Sequence, residues 1–481
     1  ICRNFAALQP FANIIGRSEL NLIVAFVMSN VLKQAQTAAQ QENWALLNRC
    51  LQQLLSSHER SALNPPSAIH QDAEIETLLR SSIQALELGD FRSRWDIAKV
   101  ISNFGSAAIA PLLELLETTD DDWELTWFIA RILGEFQHPD AIAALVNLLK
   151  SSPNEDLIAV AGAALANIGK PAIDEIVLLV NDPPTRLPAV RALAQVHHPQ
   201  VPQTMLTVVD DDDPLIRAIA ITTLSHSHEP YVPPVLVQAL QDIAAEVRQA
   251  AVVGLGLQAQ SLNETDVISW LSPLLWDINI NVRRQTAISL GRVGTPAAVA
   301  VLADGLRSPY TPVTVSIEIV RVLGWMGTPS ALSRLVEHLK LDSPETIHPR
   351  EPNAREQSDY IAVCHEIFTV LGRVELDASK PLASQILIDA LATHRPATQL
   401  PHTRQAIALS LGYLGQPHAL DTLIHLLADA DAGVRLHAIA ALKHIDADQV
   451  LPHLHHLYSD TALDPALRAG IENALQEWHD R

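Results

Sequence analysis

The chain has 481 residues, 48% of them hydrophobic but only 4% aromatic, and a formal net charge of −21. Leucine and alanine dominate, the composition of helix packed on helix, and so acidic a surface argues against a nucleic-acid partner because it repels phosphate backbones. Three cysteines, Cys2, Cys50 and Cys364, are too few and too far apart for a disulfide framework or a zinc pattern, and they fit a reducing, cytoplasmic compartment.

Residues 1–80 read as an N-terminal helical cap. Leu20–Ala39 and Asn43–Ser56 carry helical apolar spacing, and Asn64-Pro65-Pro66 separates them from a further helix over Ala73–Leu88. The longest early apolar run, Leu22–Met28, is far shorter than the roughly 20 residues that span a bilayer, so no integral membrane segment is expected. Such a cap covers the apolar face of a first repeat.

From residue 81 onward the chain repeats itself. Twelve apolar anchors mark the period: Ile101, Leu133, Leu165, Leu193, Leu224, Leu255, Leu290, Leu323, Leu371, Leu411, Leu442 and Leu475. In positions counted from the anchor, position −7 is arginine in eight of the twelve repeats (Arg94, Arg186, Arg217, Arg248, Arg283, Arg404, Arg435, Arg468). Position −11 is Asp or Asn in eight (Asp90, Asp122, Asn154, Asp182, Asp213, Asn279, Asp431, Asp464). Most spacings fall between 28 and 35 residues, which suits two helices and two turns. Around Leu290, residues 266–276 form a first helix, Asp277–Asn281 the turn and Val282–Val293 a second helix ended by Gly294-Thr295-Pro296.

The residue types follow from this phase. Asp or Asn at −11 is the N-cap of the second helix, and proline follows directly at Pro183, Pro214 and Pro465, where a missing N–H costs little. Position −8 is mostly apolar and joins the anchor in a buried stripe. Small residues such as Ala161, Ala220 and Ala251 at −4 let helices approach. Arginine four residues after the cap predicts a structural ladder, carried by Asp213, Arg217, Arg248, Arg283, Asp431 and Arg435. In it each guanidinium reaches a carboxylate or turn carbonyl of its own or the next repeat, with arginine and capping acid travelling together.

The repeats occupy 81–341 and 360–481, and a segment over 342–359, acidic and proline-rich, reads as an inserted loop. A second extension, Thr393–Thr403, follows one repeat later. Both Arg and cap are missing only in the repeats of Leu323 and Leu371, where Ser316 and Cys364 replace arginine. The two loops are therefore expected to flank a partner site. The helix Pro465–Trp478 closes the array.

Segments such as Leu426–Leu442 (LLADADAGVRLHAIAAL), Asp213–Ala220 (DPLIRAIA) and Glu246–Ala251 (EVRQAA) resemble HEAT-like repeats, specifically those of the phycobilin lyase family and its cyanobacterial relatives. The resemblance covers about residues 90 to 481. It implies an all-α fold, a right-handed α-solenoid of about twelve two-helix HEAT-like repeats with a helical N-terminal cap. It implies a non-enzymatic scaffold that binds a folded protein partner, a phycobiliprotein or photosystem subunit, in assembly or turnover of a cyanobacterial photosynthetic or phycobilisome complex. Such a protein would be cytoplasmic or peripheral at the thylakoid membrane. The alternative it implies is a phycobilin lyase or lyase subunit that attaches or removes a bilin.

No catalytic, cofactor or metal residues stand out. His453 and His456 are i, i+3 on one helix and His437 and His444 lie nearby, but no cysteine completes a zinc set. Gly254-Leu255-Gly256 and Gly291–Gly294 follow helices rather than strands and fail as phosphate loops. Among the tryptophans, Trp127 sits beside the ladder phase and is expected to be exposed. Gln249, Arg284 and Gln405 are its equivalents in other repeats, and with Glu318 and His437 they are the candidate partner-binding residues.

Overall fold

The computed structural model describes residues 30–61, 68–119, 122–340, 354–393, 396–445 and 447–479, and every regular element among them is a helix. Every described second helix except Ala354–Leu371 begins at the cap position of the sequence. The side chains of Asp90, Asp122, Asn154, Asp213, Asn279 and Asp431 accept hydrogen bonds from backbone N–H groups two or three residues on, satisfying donors that the first helical turn leaves free. Where position −11 is Ala244, Pro312 or Leu400 the helix still starts there, without a side-chain bond. The helix Ile280–Val293 ends at Gly294, whose φ of 76° is left-handed and favours glycine.

The helices form two compact units, divided between Asp211 and Asp212. Within each unit the second helices pack in series: Phe91–Ile101, Trp123–Leu133, Glu155–Ile168 and Pro183–Leu193 in the first unit. In the second unit the series is Pro214–Leu224, Ala245–Leu257, Ile280–Val293, Val313–Met326, Ala354–Leu371, Pro401–Leu414 and Ala432–His444. Within each unit the first helices pack across them. The core lies between these layers. Eleven of the twelve anchors are fully buried, and Leu475, at the end of the array, is 9% exposed. Each buried leucine is worth roughly 1.5–3 kcal/mol relative to exposure.

At several joints successive second helices approach too closely at one point for a side chain on both. A Cβ on Gly372, at position +1, would lie 2.6 Å from the Cα of Ser410, at position −1 of the next repeat. The Ser410 hydroxyl spans the same joint, donating to the Phe368 carbonyl at 2.9 Å, as Ser289 does to Val252.

Several boundaries differ from expectation. The first helix before Leu290 runs Glu264–Leu271 and continues as a 3-10 turn, Ser272–Trp276, where Pro273 supplies no N–H. Residues 354–359, the end of the segment expected to be a loop, belong to the helix Ala354–Leu371. Beyond Pro352 no residue breaks a helix, and Arg355, Glu356 and Gln357 are good helix formers. Residues 341–353 lie outside the described residues. In the extension 393–403, Pro396–Gln399 is a 3-10 turn with Ala397 and Thr398 buried, and Pro401 already opens the next helix.

Toward the N-terminus, residues 30–40 are helical. Trp44–Ser61 packs against Phe91–Ile101, as that helix packs against Trp123–Leu133. The helix expected from Ala73 begins at Ala68. Residues 1–29 and Asn64-Pro65-Pro66 lie outside the described residues. The stretch Phe91–Thr118 has the length and apolarity of a membrane span, but Gly105, at φ 62° and ψ −149°, interrupts it.

Candidate functional site

The arginines at −7 build a ladder along the turn edge of each unit. Arg217 takes both carboxylate oxygens of Asp242 at 2.8 Å, Arg248 those of Asp277 at 2.7 Å, and Arg404 those of Asp429 at 2.6 and 2.9 Å. Arg186 reaches Asp211 at 2.7 Å. Each of these acids stands at position −13 of the following repeat. Each guanidinium also donates to carbonyls of its own turn, for example Arg248 to Asp242 and Ile243. The acids work in two directions, since Asp242, Asp277 and Asp429 also accept from the backbone N–H two residues on. Bonds from Arg217 hold the Asp242 carboxyl below its usual range. Burial pushes Asp277 up, but the Arg248 fork and the Asn279 N–H more than offset it.

The capping acids, expected to pair with the arginines, are turned to other donors. Asp431 accepts from the Val434 N–H at 3.0 Å and the Gln405 amide at 2.9 Å, and Asp213 accepts from the Leu215 N–H at 2.9 Å. The reason is reach. A cap oxygen must sit over its own helix N-terminus, whereas the guanidinium, one turn further along, faces the turn of the neighbouring repeat. Arg94 is the exception: it bonds the next cap, Asp122, at 2.7 Å as well as Glu124. Of the four residues that replace arginine at −7, Thr126, Ser316 and Cys364 are buried and Ile158 is half-buried.

The outward stripe of the second helices comprises positions −10, −9, −6, −5, −2 and +2, with −10, −9, −2 and +2 mostly exposed and −6 and −5 mostly half-buried. All six candidate partner-binding residues lie on it, Trp127 in the first unit and the others in the second. Three of the second-unit set are engaged within the stack: Arg284 pairs with Glu318 of the next repeat at 2.9 Å, and Gln405 bonds Asp431. His437 Nδ1 lies 2.7 Å from its own helix's Gly433 carbonyl. Arg321 and Glu366 repeat the pairing one step on, at 2.9 Å. Gln249 is half-buried. His453 lies 3.5 Å from Asp421, and no group of three or more potential metal ligands is found among the described residues.

Trp127 is half-buried rather than exposed. The ring of Trp95 stacks on it, with centroids 6.5 Å apart and planes inclined by 15°, and Phe128 meets its edge at 5.2 Å. Trp95 occupies the same position, −6, one repeat earlier. Phe91 and Trp123 share −10, and Lys99 and Arg131 share −2. Two adjacent helices thus present a grid of two aromatic rows and one cationic row. Phe91 stacks on Trp95 at 6.2 Å. The Arg131 guanidinium lies 4.8 Å from the Trp95 ring and 5.7 Å from Trp127, and Lys99 Nζ lies 5.4 Å from Trp95. A cavity of about 210 Å³ opens beside them, lined by Trp95, Lys99, Arg131 and Glu135 among others. Trp123, 54% exposed, extends the grid toward solvent. The sequence carried this signal in FRSRWDIAKVI and WELTWFIARIL, the helices Phe91–Ile101 and Trp123–Leu133, whose aromatic and basic residues recur at 32-residue intervals.

Comparison with known proteins supports the architecture. The HEAT-repeat family model matches residues 79–166, 109–185, 176–256, 233–316 and 385–476. No curated protein matches by sequence. Among solved structures, the Kap95:Nup1 complex is similar with a TM-score of 0.50 at 13% identity, over 92% of this chain and 66% of that one. The karyopherin Kap121p bound to the extreme C-terminus of the protein phosphatase Cdc14p also gives 0.50, at 11% identity, over 94% of this chain and 54% of that one. The chain therefore spans just under two thirds and about half of these neighbours. The complex of CpcE and CpcF of phycocyanin lyase from Nostoc sp. PCC7120 covers 57% of this chain and 94% of that one at 18% identity, with a TM-score of 0.26 that carries no weight. The matched segments, which together span more than half of the residues, coincide with the stacked helix pairs and their buried anchors, and the chain belongs to the HEAT-repeat family.

Proposed function

We propose that the chain is a non-enzymatic scaffold that holds a folded protein partner against the exposed stripe of its second helices. The observation that carries this is the grid of Phe91, Trp95, Trp127, Trp123, Lys99 and Arg131. Large rings with cations beside them are the residues that dominate protein interfaces, and here they stand on the surface of a chain whose net charge is −21. Arg131 is exposed and has no carboxylate within ion-pair distance among the described residues, so an acidic side chain of a partner would find both charge and apolar cover there. The repeat type resembles that of the phycobilin lyase family, and on that resemblance the partner is a phycobiliprotein or a photosystem subunit, engaged during assembly or turnover of a photosynthetic complex.

The test compares the wild-type chain with a Trp123→Ala/Arg131→Glu variant, each immobilised and exposed to a soluble extract of phycobilisome-containing cells, with bound proteins identified by mass spectrometry. Both altered side chains are exposed, so the fold should persist, as hydrogen exchange would verify. Specific capture by the wild type and its loss in the variant support the reading. Equal capture by both, or transfer of a bilin in place of stable association, would overturn it.

A further inference from the structure

A second surface, on the turn edge of the second unit, is defined by a gap in the arginine ladder. From Arg217 the ladder alternates charge: Arg217, Asp242, Arg248, Asp277, Arg283. The next −13 position should be an acid, and it is Tyr310. Arg283 consequently bonds only carbonyls: Asp277 through Nε, and Tyr310 and Trp276 at 3.5 Å through its two Nη atoms. Asp277, whose carbonyl Arg283 holds, has both carboxylate oxygens taken by the Arg248 fork. Arg284 is paired with Glu318, and Arg307 with Asp304. Two ladder guanidiniums thus flank one acid, and the outer one makes no carboxylate bond among the described residues.

Around that charge the surface is apolar. Ile278 is 95% exposed and Tyr310 84%, with Trp276 at 45% and Ile280 at 41%. Ile243, one repeat earlier on the same edge, is 94% exposed. Ile243 and Ile278 each directly follow a ladder aspartate in the turn between first and second helix. Together with Trp276, Ile280 and Tyr310, these isoleucines make an exposed apolar patch of the kind that marks interaction surfaces.

We propose that Arg283 and the ridge of Trp276, Ile278, Ile280 and Tyr310 bind a protein segment carrying an Asp or Glu side chain flanked by apolar residues. The ligand's chemistry is set by the protein's own template. In three other repeats the same arginine takes both oxygens of a carboxylate, and the partner's acid supplies the one that Tyr310 does not. The proposal rests on the turns that lead into the second helices and does not depend on the scaffold reading above.

The experiment selects phage-displayed random dodecapeptides on the immobilised 481-residue chain. Enriched peptides are expected to share an acidic residue between apolar ones. Their affinity should fall at least about tenfold for Arg283→Met, the loss expected on removing a charge-assisted fork. It should fall similarly for Tyr310→Asp, whose carboxylate closes the ladder from within, and to a lesser degree for Ile278→Ser. Ile278 and Tyr310 are almost wholly exposed, so these two variants remain informative if Arg283→Met does not fold. Enrichment of peptides without an acid, no enrichment at all, or unchanged affinity in both Tyr310→Asp and Ile278→Ser would each overturn the proposal.

Discussion

Replacing Arg248 by methionine leaves Asp277 as a carboxylate with 6% of its side chain exposed and its counter-charge gone. The two bonds lost are both 2.7 Å and charge-assisted, and the Asn279 N–H is the main donor that remains. Breaking a buried pair from one side costs about 3–5 kcal/mol; the surviving N–H and the field of Arg283 place this case near about 3. In the double variant Arg248→Met/Asp277→Asn the orphan charge disappears while the bond to Asn279 can persist, so the cost should drop to about 1 kcal/mol. Because long repeat arrays do not unfold in one step, the readout is hydrogen-exchange protection of Ala245–Leu257 and Ile280–Val293, set beside denaturant midpoints. The pH dependence gives a second check. In the wild type the Asp277 pKa is lowered, so its contribution is present above the unfolded value of about 3.9 and is lost as pH falls through the folded one. In the single variant the uncompensated burial raises that pKa, so its deficit is largest near neutrality and shrinks in acid. A double variant as unstable as the single one, or a deficit independent of pH, would refute the reasoning.

Gly372→Ala places a methyl 2.6 Å from the Ser410 Cα and against its hydroxyl oxygen. The helices Ala354–Leu371 and Pro401–Leu414 must then separate, costing about 1–3 kcal/mol, to be read as faster hydrogen exchange in both. His338 is half-buried, and withdrawal from water lowers its pKa to about 4. The unfolded chain binds a proton below about 6.5 that the folded one refuses, so stability is full above that pH and declines toward 4. His338→Leu should flatten this decline by about 1–3 kcal/mol, as denaturant titrations across that range would show.

The architecture was readable because each anchor, cap and turn residue answers to its own helix, and local rules decide them. Relations that cross a repeat boundary were harder to read. The −13 aspartates were present in the sequence, but their partners lie 25 or 29 residues upstream, and only the packing of one turn against the next selects them over the capping acids. The same holds for Trp127. Its position on the outward stripe was evident, yet its exposure is set by Trp95, a ring of identical phase on the neighbouring helix. Residues 354–359 misled for another reason. Their polarity suggested a loop, but a helix end that buries little needs only residues of high helix propensity.

The glycine joints have a consequence for how such an array can change length. At each of five successive joints the glycine is donated by the earlier repeat: Gly256 to Ser289, Gly291 to Val322, Gly324 to Val370, Gly372 to Ser410 and Gly412 to Ala441. At the joint before them the roles are exchanged, and Gly254 of the later repeat meets Ser225. A repeat taken from within the five carries a compatible half at each end, so duplication or deletion of a whole unit there preserves every interface. A repeat moved across the exchanged joint would set side chain against side chain. The register of one missing methyl therefore marks which segments of the gene can recombine in frame and still fold.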